Sequence, residues 1–118
     1  MPVLDKVIRR NEVEVIYCRG RIVRGETDEL RAAVRGAIQN IGKVVIHLGD
    51  VPNIDSTGLG LLASLCVSAR KLSADLKLVA PSAQVADALK ITKLGRLFDI
   101  YPTEEAALET FEPRRSAE

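Results

Sequence analysis

The sequence has no tryptophan, a single histidine, only two cysteines and no excess of either charge. Its 17 basic and 16 acidic residues leave a formal charge of +1, so no global field holds a polyanion or an anionic membrane. Direct nucleic-acid binding and membrane insertion are therefore not expected, and partners must be recognised locally. Cys18 and Cys66 are far apart with no paired spacing, which fits reduced thiols in a cytoplasmic protein better than a disulfide framework. The ligands of a zinc site are missing too, and no metal or cofactor is expected. No long apolar run exists: the stretch 51–69 is broken by Pro52, Asn53, Asp55 and several glycines and serines. The opening MPVLDKVIRRNEVEV lacks an apolar centre, so neither a membrane span nor an export signal is expected.

What is present describes one globular domain. The 118 residues are 47% hydrophobic and 28% charged. A chain of that size can bury about two thirds of its unfolded surface without a staple. The expected bounds are one domain over residues 1–112 and a flexible tail, residues 113–118, where EPRRSAE has no apolar period.

Local patterns predict the elements. Val3 to Ile8 reads as a first strand with Arg9, Arg10 and Asn11 as its turn, and the run from Val13 to Cys18 as its hairpin partner. From Thr27, a candidate N-cap, Leu30, Ala33, Val34, Ala37, Ile38 and Ile41 recur at helical spacing up to Gly42. Val44 to Leu48 is continuously apolar except for His47, which predicts a strand covered on both faces. A second helix is expected from near Thr57 to about Leu72, then a strand over Leu76 to Ala80. Pro81 and Ser82 open a helix through Val85, Leu89 and Leu94, Phe98 to Tyr101 is a short strand, and Pro102 and Thr103 open a last helix to Phe111. The fold class is α/β: a mixed sheet with an antiparallel N-terminal hairpin and about four helices.

The densest cluster of small polar residues is Asn53, Ile54, Asp55, Ser56, Thr57, Gly58, Leu59, Gly60, at the junction after the most apolar strand. In open α/β sheets, sites gather at the C-terminal ends of parallel strands. Helix capping alone would need one of Asp55, Ser56 and Thr57. The surplus hydroxyls, beside two glycines that bare the backbone for close approach by another molecule, suggest a contact surface.

Asp55-Ser56-Thr57-Gly58-Leu59-Gly60, preceded by the strand VVIHL and the loop GDVPNI, resembles the signature of STAS domains, in particular the bacterial anti-sigma factor antagonists. The likeness runs from about Glu12 to Phe111 and includes Gly20-Arg21-Ile22 and the segment from Leu94 to Tyr101. It implies a non-enzymatic regulator with Ser56 as phosphoacceptor and Asp55, Ser56, Thr57, Gly58, Leu59 and Gly60 on the partner-binding surface. The implied partners are an anti-sigma factor that is a GHKL-type serine kinase and a serine phosphatase that resets the switch. In that scheme the unphosphorylated protein binds the anti-sigma factor and frees sigma factor, and ATP belongs to the kinase. The alternative within the resemblance is an adaptor or subunit of a transporter or larger signalling assembly without regulated phosphorylation. Two positions depart from the family pattern and bear on kinase recognition. Val23, followed by Arg24 and Gly25, stands where sporulation-type members carry an aspartate, and His47 stands where many have Asp or Asn.

Other chemistries fit less well. Ser56 with His47 as nucleophile and base lacks both an orienting acid and a Gly-x-Ser-x-Gly elbow. Gly58-Leu59-Gly60-Leu61-Leu62-Ala63 matches the dinucleotide pattern in form only, since it begins ten residues after Leu48 instead of in the turn after the strand. Arg9, Arg10, Arg19, Arg21 and Arg24 read as a solvated basic face of the hairpin, because aromatic platforms for nucleic acid are absent. Cys18 and Cys66 read as small core residues.

Overall fold

A computed structural model of the chain describes residues 3–91 and 97–111. The predicted Leu94 and the tail 113–118 lie outside the described residues. Strands β1 (Leu4–Arg10), β2 (Val13–Arg19), β3 (Lys43–Asp50), β4 (Asp75–Val79) and β5 (Ile100–Tyr101) form one sheet in the order β1-β2-β3-β4-β5. The β1–β2 pair is antiparallel and every other pair is parallel. Four helices are described: α1 (Asp28–Asn40), α2 (Ser56–Lys71), α3 (Ala83–Ile91) and α4 (Glu104–Thr110).

The apolar run of β3 occupies the middle of the sheet because both of its faces are covered. Val44, Ile46 and Leu48 point into a large core with Leu30 and Val34 of α1, Leu62 and Leu65 of α2, and Val85 and Leu89 of α3. Val45 points the other way, joining Val13, Val15 and Val79 beneath Ala107 of α4 and Phe111. Three helices thus lie on one face and α4 on the other. Buried Lys77 on the α4 face places its ammonium 3.1 Å from Asp75 and 3.0 Å from Asp99, with the rings of Phe111 and Tyr101 against it. Burial pulls this ammonium's pKa down, but the two carboxylates outweigh that and hold it above the ordinary lysine value. No helix among the described residues is long and apolar enough to cross a membrane.

Several boundaries differ from the sequence expectation for local reasons. Arg9 and Arg10 belong to β1, and the turn is Asn11-Glu12, whose φ angles of 50° and 69° are those of a tight hairpin turn. On an edge strand, charged side chains reach water and do not end the pairing. Thr27 stands at the start of α1, but its backbone is helical (φ −112°, ψ −6°) and its hydroxyl caps nothing. The helix does close at Gly42, whose φ of 81° lets its N–H reach the Ala37 carbonyl at 3.0 Å. β5 is confined to Ile100–Tyr101; Phe98 before it is buried in the core without pairing as a strand.

Candidate functional site

The parallel strands β2, β3 and β4 all end at the same edge of the sheet, and the loops after β2 and β3 meet there. They are joined by main-chain contacts: Gly20 N–H donates to the Asp50 carbonyl at 3.0 Å, and Ile22 and Ile54 form a parallel bridge. Ile22 N–H reaches the Asn53 carbonyl, and Asp55 N–H returns to the Ile22 carbonyl, both at 3.4 Å. The segment that delivers the chain into α2 is therefore laced to the loop after β2.

Asp55 caps α2. Its backbone is extended (φ −101°, ψ −176°), so Oδ1 faces the first turn and accepts the Gly58 N–H at 2.9 Å. Oδ2 accepts the Arg24 N–H at 3.4 Å, so one carboxylate ties the helix to the neighbouring loop. The Gly58 bond, aided by the one from Arg24, holds the exposed carboxyl below the usual aspartate pKa. Ser56 is the first helical residue. It and Thr57 are exposed, and α2 has no acidic residue in its first turn.

The two glycines play different parts. Gly58 is buried, and a Cβ there would collide with the Ile22 carbonyl oxygen and lie 2.6 Å from Ile54 Cγ1 and 2.9 Å from Ile22 Cγ2. Its bare backbone thus meets the chain's own loop, not another molecule. Gly60 is exposed with open space around it. Leu59 is half-buried against the core. The surface at this junction therefore consists of Asp55, Ser56, Thr57 and Gly60, standing on Gly58 and Leu59. Sequence reasoning missed Ile22 as the residue beneath them; its apolar character between Arg21 and Arg24 was the available signal.

His47 is not brought to Ser56. Its Nδ1 accepts the Gly49 N–H at 3.1 Å, and its ring stacks on Tyr17 at 4.9 Å, on the α4 face of the sheet, whereas α2 packs on the other face. The Tyr17 hydroxyl donates to Glu104 at 2.6 Å; burial raises its pKa, and the Glu104 bond adds to that. The five arginines do not form one face. At the turn end of the hairpin, Arg9 pairs with Glu14 and Arg10 with Glu104, each at 2.8 Å. Arg19, Arg21 and Arg24 are exposed at the opposite end, beside α2. Both cysteines are buried free thiols. An open groove of about 780 Å³ beside Arg9, Arg10, Asn11 and α4 shares no residue with the Asp55 to Gly60 junction. No group of three metal-ligating side chains occurs among the described residues.

Comparison with known proteins agrees with this architecture. A candidate anti-sigma factor antagonist of Thermotoga neapolitana is 36% identical over 72 residues, covering 61% of this chain and 64% of that protein. The match thus spans less than two thirds of that relative's length. The crystal structure of a candidate anti-sigma factor antagonist from Thermotoga maritima superposes with a TM-score of 0.82 at 25% identity, covering 93% of this chain and 94% of that one. The fold is also that of the Bacillus cell-fate determinant SpoIIAA. Its unphosphorylated form gives a TM-score of 0.71 at 21% identity over 88% of this chain and 92% of that one. Its phosphorylated form gives 0.68 at 20% over 88% and 96%. Residues 6–107 match the STAS domain family, so the chain belongs to that family.

Proposed function

We propose that this protein is an anti-sigma factor antagonist switched by phosphorylation of Ser56. Unphosphorylated, it binds an anti-sigma factor of the GHKL serine-kinase type and frees sigma factor in the cytoplasm. The kinase transfers the γ-phosphoryl group of ATP to Ser56 Oγ, the hydroxyl proton leaves, ADP departs, and binding ends until a serine phosphatase hydrolyses the ester.

The observation that carries the reading is the position of Ser56: an exposed hydroxyl on the first residue of a capped 16-residue helix, at the rim of a laced double loop. A kinase can reach it without opening the fold. The added phosphate, with about −1.5 to −2 charges, meets a helix N-terminus that tolerates negative charge. Facing a partner carboxylate ~6 Å away, each added unit charge costs ~3 kcal/mol at an effective dielectric of ~20. That is about a hundredfold in affinity. Likeness to the Thermotoga proteins supports the choice of partner class, and SpoIIAA, solved with and without phosphate, shows that one such fold exists in both forms.

The test is to incubate the protein with purified GHKL anti-sigma kinases and ATP, map the phosphate by mass spectrometry and titrate binding by calorimetry. Phosphate is expected on wild-type Ser56 and not on Ser56→Ala, which keeps binding; phosphorylation should weaken binding at least about a hundredfold. Unmodified Ser56 with every kinase, together with co-purification of a permease or its ATPase, would overturn the switch in favour of a transporter adaptor.

A further inference from the structure

The end of β2 and the loop that follows it carry three cations with nothing to hold. Arg19, Arg21 and Arg24 are exposed, and among the described residues none of their guanidinium groups has a carboxylate partner within 4 Å, whereas Arg9 and Arg10 at the other end of the hairpin are both paired. The loop is fixed where it stands. The Ile22–Ile54 bridge joins it to the chain entering α2, Gly58 packs on the Ile22 carbonyl, and the Arg24 N–H bonds Asp55, the residue before Ser56. Ser56 therefore starts α2 beside a loop that carries exposed Arg21 and Arg24, and the Arg24 backbone is bonded to the residue before Ser56.

We infer that a phosphate on Ser56 is held within the molecule by this arginine loop, chiefly by Arg24. The inference rests on the reading of Ser56 as phosphoacceptor and adds what the phosphate does once attached. Arginine offers a planar fork of donors that suits phosphate oxygens, and the loop backbone that carries Arg24 is already tied to the start of α2, so only side chains have to be ordered. The competing anions are Asp50, Asp55 and half-buried Glu26. Asp55 already accepts the Gly58 and Arg24 N–H groups, and a dianion attracts a guanidinium more strongly than a single carboxylate does. Phosphorylation then does more than add repulsion: it turns a surface of free cations into a filled, neutralised one, so a partner that reads the arginines loses them.

The experiment installs phosphoserine at position 56 of the full chain by an expanded genetic code, so no kinase is needed, and follows the second phosphate ionisation by ³¹P NMR titration. At this exposed site, with a water-like effective dielectric of ~80, an opposite charge within about 5 Å should lower that ionisation by about half a pH unit relative to the same protein unfolded in urea. Arg24→Gln should return most of that shift and Arg21→Gln less, while Arg9→Gln, at the far end of the hairpin, should leave it unchanged. Equal titration of all three variants and the unmutated phosphoprotein would overturn the inference. A Ser56 that no kinase modifies would instead overturn the switch itself, so the two failures are distinguishable.

Discussion

Substituting alanine at Gly58 and at Gly60 should have opposite effects, although both glycines lie in the first two turns of α2 and alanine is the better helix former at either. At Gly58 the new methyl would run into the Ile22 carbonyl oxygen and sit 2.6 Å from Ile54 Cγ1. Neither neighbour can give way easily: the Ile22 side chain is fully buried, and its carbonyl accepts the Asp55 N–H. Relief requires the loop to retreat by about 1 Å from α2, and strain of this kind costs ~1–3 kcal/mol, against which improved helix propensity returns up to ~1 kcal/mol. At Gly60 nothing lies within 4 Å of the added carbon, so only the propensity gain of ~0.5–1 kcal/mol remains.

Urea denaturation and thermal melting of the two variants read this directly. For a domain of this size 1 kcal/mol moves Tm by about 4 °C, so Gly58→Ala should melt about 4–8 °C lower and Gly60→Ala about 2–4 °C higher. Because the retreating loop carries Arg24, which bonds Asp55, Gly58→Ala should also disturb the surface at Ser56. A Gly58→Ala protein as stable as the wild type would show that the loop after β2 is not packed against the helix, and the rigid platform beneath Ser56 would go with it.

Two further outcomes follow from titrating groups. The Asp55 pKa is lowered, so its cap contributes stability above the unfolded value and loses it as pH falls through the folded one. Asparagine caps without ionising. The stability of wild type relative to Asp55→Asn, measured by urea melts, should therefore decline below about pH 4; a difference constant from pH 7 to pH 2 would contradict the charged cap. Burial pushes Cys66 up to about 11, and burial together with Asp5 pushes Cys18 up to about 12. At pH 8 their thiolate fractions are then ~10⁻³ and ~10⁻⁴, against about a quarter for a free thiol. Iodoacetamide should label both cysteines slowly in the native protein and at least a hundredfold faster in urea; rapid native labelling of either would place that thiol in solvent.

The parts of this fold that are legible in the sequence are those set by neighbours along the chain. The apolar run around Val45 gives the central strand, the three-and-four spacing from Leu30 gives α1, and Gly42 ends it, because each signal is written within one turn or one strand. Arg9 and Arg10 mislead, since a charged pair beside Asn11 looks like a turn, and only the edge position of β1 makes both compatible with pairing. The site divides in the same way. Asp55 as a cap can be read from its place before α2, and Ser56 follows from the motif. Which glycine is structural cannot be read, because the deciding atom is the carbonyl of Ile22, brought beneath Gly58 by the parallel pairing of β2 with β3. The split of the arginines into paired and unpaired sets is equally hidden, since it depends on Glu14 across the hairpin and on Glu104 from the far end of the chain.

That same long-range packing bears on how a covalent switch can work here. The N–H groups of Gly58 and Arg24 are engaged by the Asp55 carboxylate and the Leu59 N–H by the Asp55 carbonyl, so Ser56 Oγ is not required to hold the first turn together. A group attached to that oxygen leaves the cap, the Ile22–Ile54 bridge and the core contacts of Leu61 and Leu62 in place. Had Ser56 been the capping residue, esterifying its oxygen would have put bulk and charge into the helix end, and the modification would have acted partly by loosening the fold. With Asp55 as the cap, the first turn and the loop remain a fixed frame, and a change at Ser56 is expressed on the surface, where a partner reads it.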